Sequence, residues 1–334
     1  MKNYIILILI FLIPIPGCSD HKSNKPGSLV KIIFDSDMGP DYDDVGALAF
    51  LHAMADSGRA EILATLASNK HELVVPCMEI INTYFGRPGI PLGEPKSKGV
   101  SLTASQHWPD SLVAKYPHRL KKGNEAADAV YLYRKILASQ PDTSVTILTV
   151  GFLTNLSNLL KSQPDSLSPF NGQELITKKV RRLVAMAGEF PEGREFNIMM
   201  DSVSSEYVLN EWPTEITFTG YEIGSKIFTG LQLVNSEIGN SPVRDVFRIS
   251  LPLSAEDKNG RMSWDETAAL IAVYGTDGFF DTVRGNIVVN SNGSNSWEDD
   301  KNGKQVYVKF KMPPEELGRF IEARMMHVPV KRLR

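Results

Sequence analysis

The chain has 334 residues, 42% of them hydrophobic, so it is long enough to bury the core of one large α/β domain. A formal net charge of −3 excludes the basic surface that a nucleic-acid binder needs. With only two cysteines, a disulfide-stapled scaffold is excluded as well.

The N-terminus reads as an export signal over residues 1–17. Lys2 precedes an apolar run over 5–15 that is too short for a comfortable membrane span. Ile15-Pro16-Gly17-Cys18 then resembles a bacterial lipobox, which makes Cys18 the expected site of acylation. The expectation is an exported protein, lipid-anchored through Cys18 on the periplasmic or cell-surface side of a bacterial membrane. Residues 18–29 are polar and read as a flexible tether, with a single folded domain over 30–334. Acylation of Cys18 would leave Cys77 alone. It lies in the apolar pattern Leu73-Val74-Val75-Pro76-Cys77-Met78, as a buried structural thiol would.

From residue 31 onward, strand-like and helix-like segments alternate. Strands are predicted over 31–34, 61–67, 145–150, 180–186 and 215–219, and helices over 44–57, 72–85, 126–139, 153–161, 202–210 and 265–274. Repeated βα units of this length predict an α/β fold, a mainly parallel central sheet flanked by helices on both faces. The C-terminal end changes character. Segments 285–289 and 305–310 alternate like strands around the turn-rich stretch 290–303, which predicts a hairpin with a long loop. A helix over 312–326 follows.

Chemistry concentrates at the predicted strand ends. Asp35-Ser36-Asp37-Met38-Gly39-Pro40-Asp41-Tyr42-Asp43-Asp44 places five aspartates in ten residues between a buried strand and a helix. Carboxylates held this close repel one another, and a hard, oxygen-loving cation is the usual remedy. Ser68-Asn69, the segment Val150 to Asn155, Glu195-Phe196-Asn197 and Trp264-Asp265-Glu266-Thr267 are the other polar strand ends. In a parallel sheet these ends share one edge and converge on one crevice.

Taken together, Asp35-x-Asp37-x-Gly39…Asp43-Asp44, Gly151-x-Leu153-Thr154-Asn155 and Glu195-Phe196-Asn197-Ile198…Asp201 resemble the nucleoside hydrolase family of the inosine–uridine-preferring type, over roughly residues 30–275. The resemblance implies a Ca²⁺-dependent hydrolase of the N-glycosidic bond of ribonucleosides or a related N-riboside, serving purine or pyrimidine salvage, and possible homo-oligomers. By the same resemblance, Asp37 is a metal ligand and the base that activates water. Asp44, Asp265 and the main-chain carbonyl of Val150 complete the metal set. Asp43 accepts from the ribose 2′-hydroxyl, and Asn69, Glu195 and Asn197 hold ribose hydroxyls.

Three features depart from the family pattern. Gly39 and Asp43 are separated by three residues instead of one, which leaves Asp41 and Asp43 as alternatives for the ribose contact. The loop 188–194 is short and lacks an asparagine before Glu195. Trp264 stands where a histidine usually precedes the last aspartate; tryptophan cannot act as a leaving-group acid, but it can stack on a base. His107 and Glu222 are further candidates for that acid. One alternative is a non-catalytic surface protein that binds nucleosides or sugars. Another is a haloacid-dehalogenase-like phosphatase built on Phe34-Asp35-x-Asp37, which would leave the Glu-Phe-Asn block unexplained.

Overall fold

Ile32, Ile33 and Phe34 are fully buried on two sides of one strand: Ile32 and Phe34 join one hydrophobic core, Ile33 the other. Alternation of this kind puts the strand in the middle of a sheet covered on both faces. The computed structural model describes residues 29–329. The expected signal peptide, the acylation site Cys18 and the tether up to residue 28 lie outside the described residues.

The described strands, in chain order, are β1 (Val30–Ser36), β2 (Ala60–Ala67), β3 (Leu92–Glu94), β4 (Ala127–Asp128), β5 (Val145–Thr149), β6 (Val180–Met186), β7 (Glu192–Gly193), β8 (Glu215–Thr219), β9 (Phe228–Thr229), β10 (Arg261–Met262), β11 (Phe280–Val289), β12 (Asn295–Asp299) and β13 (Gln305–Phe310). Eleven form one sheet in the order β4-β3-β2-β1-β5-β6-β8-β13-β11-β12-β7, and β9 pairs with β10. Pairing is parallel from β4 through β13 and antiparallel among β13, β11, β12 and β7. Helices Asp43–Asp56, Val74–Tyr84, Trp264–Tyr274 and Pro314–Met325 pack with Ile32 and Phe34. Helices Ala129–Ser139, Thr154–Lys161, Gly172–Lys179 and Ser202–Glu211 pack on the opposite face.

The predicted α/β architecture is the one observed, with two instructive differences. The helix predicted over 126–139 begins at Ala129, because Ala127–Asp128 pairs with β3 and the Asp128 carboxylate caps the helix by accepting from the Tyr131 amide at 2.8 Å. The long loop predicted over 290–303 contains a strand, β12. Its sequence is nearly all polar, so period-2 patterning is invisible there. Trp297 anchors it by packing edge-on against Phe190 and Tyr307, 5.4 and 5.0 Å between ring centres.

Strand order fixes the place of the site. Chain order runs outward from β1 to β2, β3 and β4 on one side and to β5, β6 and β8 on the other. The crevice of an open α/β sheet lies at such a reversal, beyond the carboxyl ends of the strands. Asp37 follows β1 there and Val150 follows β5, joined by the Val150 amide donating to the Asp35 carbonyl at 2.8 Å.

Candidate active site

Helix N-termini and strand ends build the cleft. Asp43 and Asp44 open helix Asp43–Asp56, and Asp265 lies in the first turn of helix Trp264–Tyr274. The partial positive charge of each helix start favours carboxylates at these positions. A cavity of about 270 Å³ is lined by Asp37, Asp41, Asp43, Asp265, Val150, Glu195 and Asn197, with Met186, Phe196, Tyr221 and Trp264 on its apolar wall. Gly151 permits this approach: a Cβ there would lie 2.4 Å from the Asp37 amide nitrogen and 2.6 Å from Ser68 Oγ.

Charge is unbalanced in this cleft. Burial and the charges of Asp44 and Asp41 push the Asp37 carboxyl well above the ordinary range. Asp44 is pushed up by burial and by Asp41 and Asp43, and Asp265 by burial and by Asp43 and Asp44. Asp44 Oδ1 accepts from Ser36 Oγ at 2.5 Å, but its Oδ2 is buried without a hydrogen-bond partner. An orphaned carboxylate oxygen beside carboxyls that resist ionisation is what an oxygen-ligated cation corrects. The residues present therefore fit a divalent ion. Asp41, Asp43 and Asp44 can each bring an oxygen within 4.8 Å of the others.

Glu195 and Asn197 line the cavity while anchoring its floor. Glu195 caps helix Phe196–Met200, accepting from the amides of Asn197 at 2.6 Å and of Ile198 and Gly188 at 3.1 Å. Burial still pushes its carboxyl up to about 7. Asn197 Nδ2 donates to the carbonyls of Met186 at 3.1 Å and Val150 at 3.4 Å, so the Val150 oxygen faces the site.

Other expected residues are placed differently. Asn69 is fully buried and does not line the cavity. Its Nδ2 donates to the Asp37 and Leu102 carbonyls at 3.0 and 2.9 Å, and its Oδ1 accepts from the His71 and Leu102 amides at 3.0 and 2.9 Å. An amide with every donor and acceptor engaged has nothing left for a sugar hydroxyl; here Asn69 holds the backbone of Asp37. His107 points to solvent beside Asp110, and Glu222 accepts from the Phe190 amide; neither lines the cavity. Asp35, the nucleophile a phosphatase would need, is fully buried, accepting from Tyr133 and Asn155.

The sequence reading missed Tyr221, Phe196 and Arg261. Trp264 stacks on Tyr221 with ring centres 5.4 Å apart and donates its Nε1–H to the Tyr221 carbonyl at 2.8 Å. Arg261, on β10, bonds both Asp41 and Asp43. The signal for Tyr221 was its place directly after β8; Arg261 is one arginine in a loop-rich stretch, and no pattern marks it.

The sequence profile of a family described as "Inosine-uridine preferring nucleoside hydrolase" matches residues 32–316. Enzymes of that name from Leishmania major and Crithidia fasciculata are 23% and 22% identical over 232 residues, which are 66% of this chain and 69% of each relative. A plant nucleoside hydrolase structure superposes with a TM-score of 0.70 at 17% identity, covering 89% of this chain and 99% of the other.

Proposed function

The chain belongs to the inosine-uridine preferring nucleoside hydrolase family, and we propose that it is a Ca²⁺-dependent N-ribohydrolase whose water-activating base is Asp37. As a member it is a nucleoside N-glycosyl hydrolase; the metal, the residue roles and the substrate range are what is proposed. The observation that carries the reading is the convergence of Asp37, Asp265, the Val150 carbonyl and Asn197 on one cavity, with the orphaned Asp44 oxygen behind it.

Asp37, Asp44, Asp265 and the Val150 carbonyl would hold the ion. When bound, Ca²⁺ would compensate the three carboxylates and lower the pKa of a water in the cleft. Asp37, ionised by that compensation, accepts the proton of the attacking water. Cleavage passes through an oxocarbenium-like state, whose positive charge the carboxylates on the cavity wall stabilise. Asp43, Glu195 and Asn197 take the sugar hydroxyls. Tyr221, Trp264 and Phe196 form an apolar wall on which a flat leaving group stacks. The Trp264 N–H is committed to the Tyr221 carbonyl, so the indole has no free hydrogen for a leaving group, and the Tyr221 hydroxyl is the O–H this wall carries. Export and anchoring through Cys18, with residues 18–29 as tether, belong to the same proposal.

The test is release of reducing sugar from a panel of purine and pyrimidine ribonucleosides by the chain from residue 29 onward, with Ca²⁺ and with chelator. Release with Ca²⁺ that chelator abolishes is the expected result. Nucleoside binding without any release would replace this reading with a non-catalytic binder.

A further inference from the structure

We propose that Arg261 is a positioning residue that divides the carboxylates of the cleft. It holds Asp41 and Asp43 on the substrate side and leaves Asp37, Asp44 and Asp265 to the cation. Its effect on turnover rests on the hydrolysis proposed above, and its effect on cation binding on the ion site proposed with it.

The guanidinium is nearly buried, with the residue 8% exposed. Nε and Nη2 both donate to Asp43 Oδ1, at 3.0 and 2.7 Å, and Nη2 also donates to Asp41 Oδ2 at 2.5 Å. Nη1 lies 3.8 Å from Asp257 Oδ1. The Tyr42 and Trp264 rings flank the group, 5.0 and 5.1 Å from Cζ, and Tyr42 is itself fixed by donating to Asp257 Oδ2 at 2.7 Å. A planar, permanently charged fork between two rings and three carboxylates keeps one orientation.

Two consequences follow from that orientation. Asp41, Asp43 and Asp44 stand close enough to serve together as a cation site. Asp43 Oδ1 already accepts two guanidinium hydrogens, so it has little lone-pair capacity left for an ion, and the guanidinium repels an ion placed beside it. None of the Arg261 hydrogen bonds among the described residues goes to Asp37, Asp44 or Asp265, and Asp44 Oδ2 stays unpartnered. The second consequence is on the substrate side. With Oδ1 held, Asp43 keeps Oδ2 near the Asp265 amide at 3.3 Å, as a fixed acceptor on the cavity wall. Arg261 thereby sets how well the site distinguishes a sugar that carries a 2′-hydroxyl from one that lacks it.

Calorimetric Ca²⁺ titration of the wild type, Arg261→Met, Asp41→Asn, Asp43→Asn and Asp44→Asn is the test, with kcat and KM measured on ribo- and 2′-deoxyribonucleosides. Asp41→Asn and Asp43→Asn should bind Ca²⁺ within about tenfold of wild type, whereas Asp44→Asn should lose at least about a hundredfold. Arg261→Met should bind Ca²⁺ as tightly as wild type or tighter, while its preference for the ribo-substrate falls by about tenfold or more; Arg261→Lys should restore only part of that preference. Loss of Ca²⁺ binding in Asp43→Asn equal to that in Asp44→Asn would overturn the division, as would an unchanged ribo-preference in folded Arg261→Met. Should Arg261→Met fail to fold, the aspartate variants decide alone. Should the wild type hydrolyse no nucleoside, the proposed function fails while the Ca²⁺ titrations still judge Arg261.

Discussion

Asp37 can serve as a base only when it is ionised, and burial together with Asp44 and Asp41 opposes that. Ionisation of this carboxyl and binding of a cation are therefore linked, and on the proposed roles Asp37→Ala removes a ligand and a base at once. Its kcat should fall by at least ~10²–10⁴-fold, the usual contribution of a general base. Asn197→Ala, which loses the proposed sugar contacts and the ties to the Met186 and Val150 carbonyls, should act mainly on KM. Near-normal kcat in Asp37→Ala would mean another base. Trp264 makes a second prediction: nitrophenyl riboside, whose nitrophenolate departs without a proton, should turn over much faster than inosine, by about the 10²–10⁴-fold that a general acid supplies. Comparable rates would reveal a leaving-group acid, with Tyr221 and Glu195 on the cavity wall the first to test. The cleft positions of Asp37, Asp265, Glu195 and Asn197 were legible because these residues sit in short motifs at strand ends. Arg261 was not, since a lone arginine 218 residues from Asp43 shows its partner only in three dimensions. Asn69 was legible as a residue but not as a role: two of its four main-chain bonds are to Leu102, 33 residues along the chain.

The junction of β1 and β5 carries the site, and Gly151 is its tightest point. A Cβ there would meet the Asp37 main chain and Ser68, neither of which is the free end of a long side chain. Gly151→Ala should cost about 1–3 kcal/mol in stability, the usual price of overpacking, and should depress kcat by shifting Asp37. Urea unfolding with parallel kinetics checks this; an unchanged midpoint and rate would show that the strand ends have slack. Parallel strands buried on both faces read clearly from sequence as apolar runs, which is why β1, β5, β6 and β8 fell where predicted. β12 did not, because its register comes from pairing with β11 and from one tryptophan, not from its own pattern.

Buried carboxyls make the whole molecule sensitive to pH and to cations. Asp35 and Glu195 are pushed up to about 7 by burial, and Asp37, Asp44 and Asp265 are pushed up too. A carboxyl raised in the folded state holds its proton more tightly there than when unfolded. That contribution is full below the ordinary value of 3.8–4.5 and is lost as pH rises through the folded value. Chelated protein should therefore lose thermal stability as pH rises from about 4 to 8, and Ca²⁺ should restore it most strongly at the upper end. A Tm that is flat across this range with chelator present would show the cleft to be balanced without an ion. Hydrolysis itself gives the most direct measurement: the rate of ribose release from nitrophenyl riboside as Ca²⁺ is titrated into chelated protein. The account predicts a rate that climbs from background and saturates at one ion per chain; full activity in the chelated protein would contradict it.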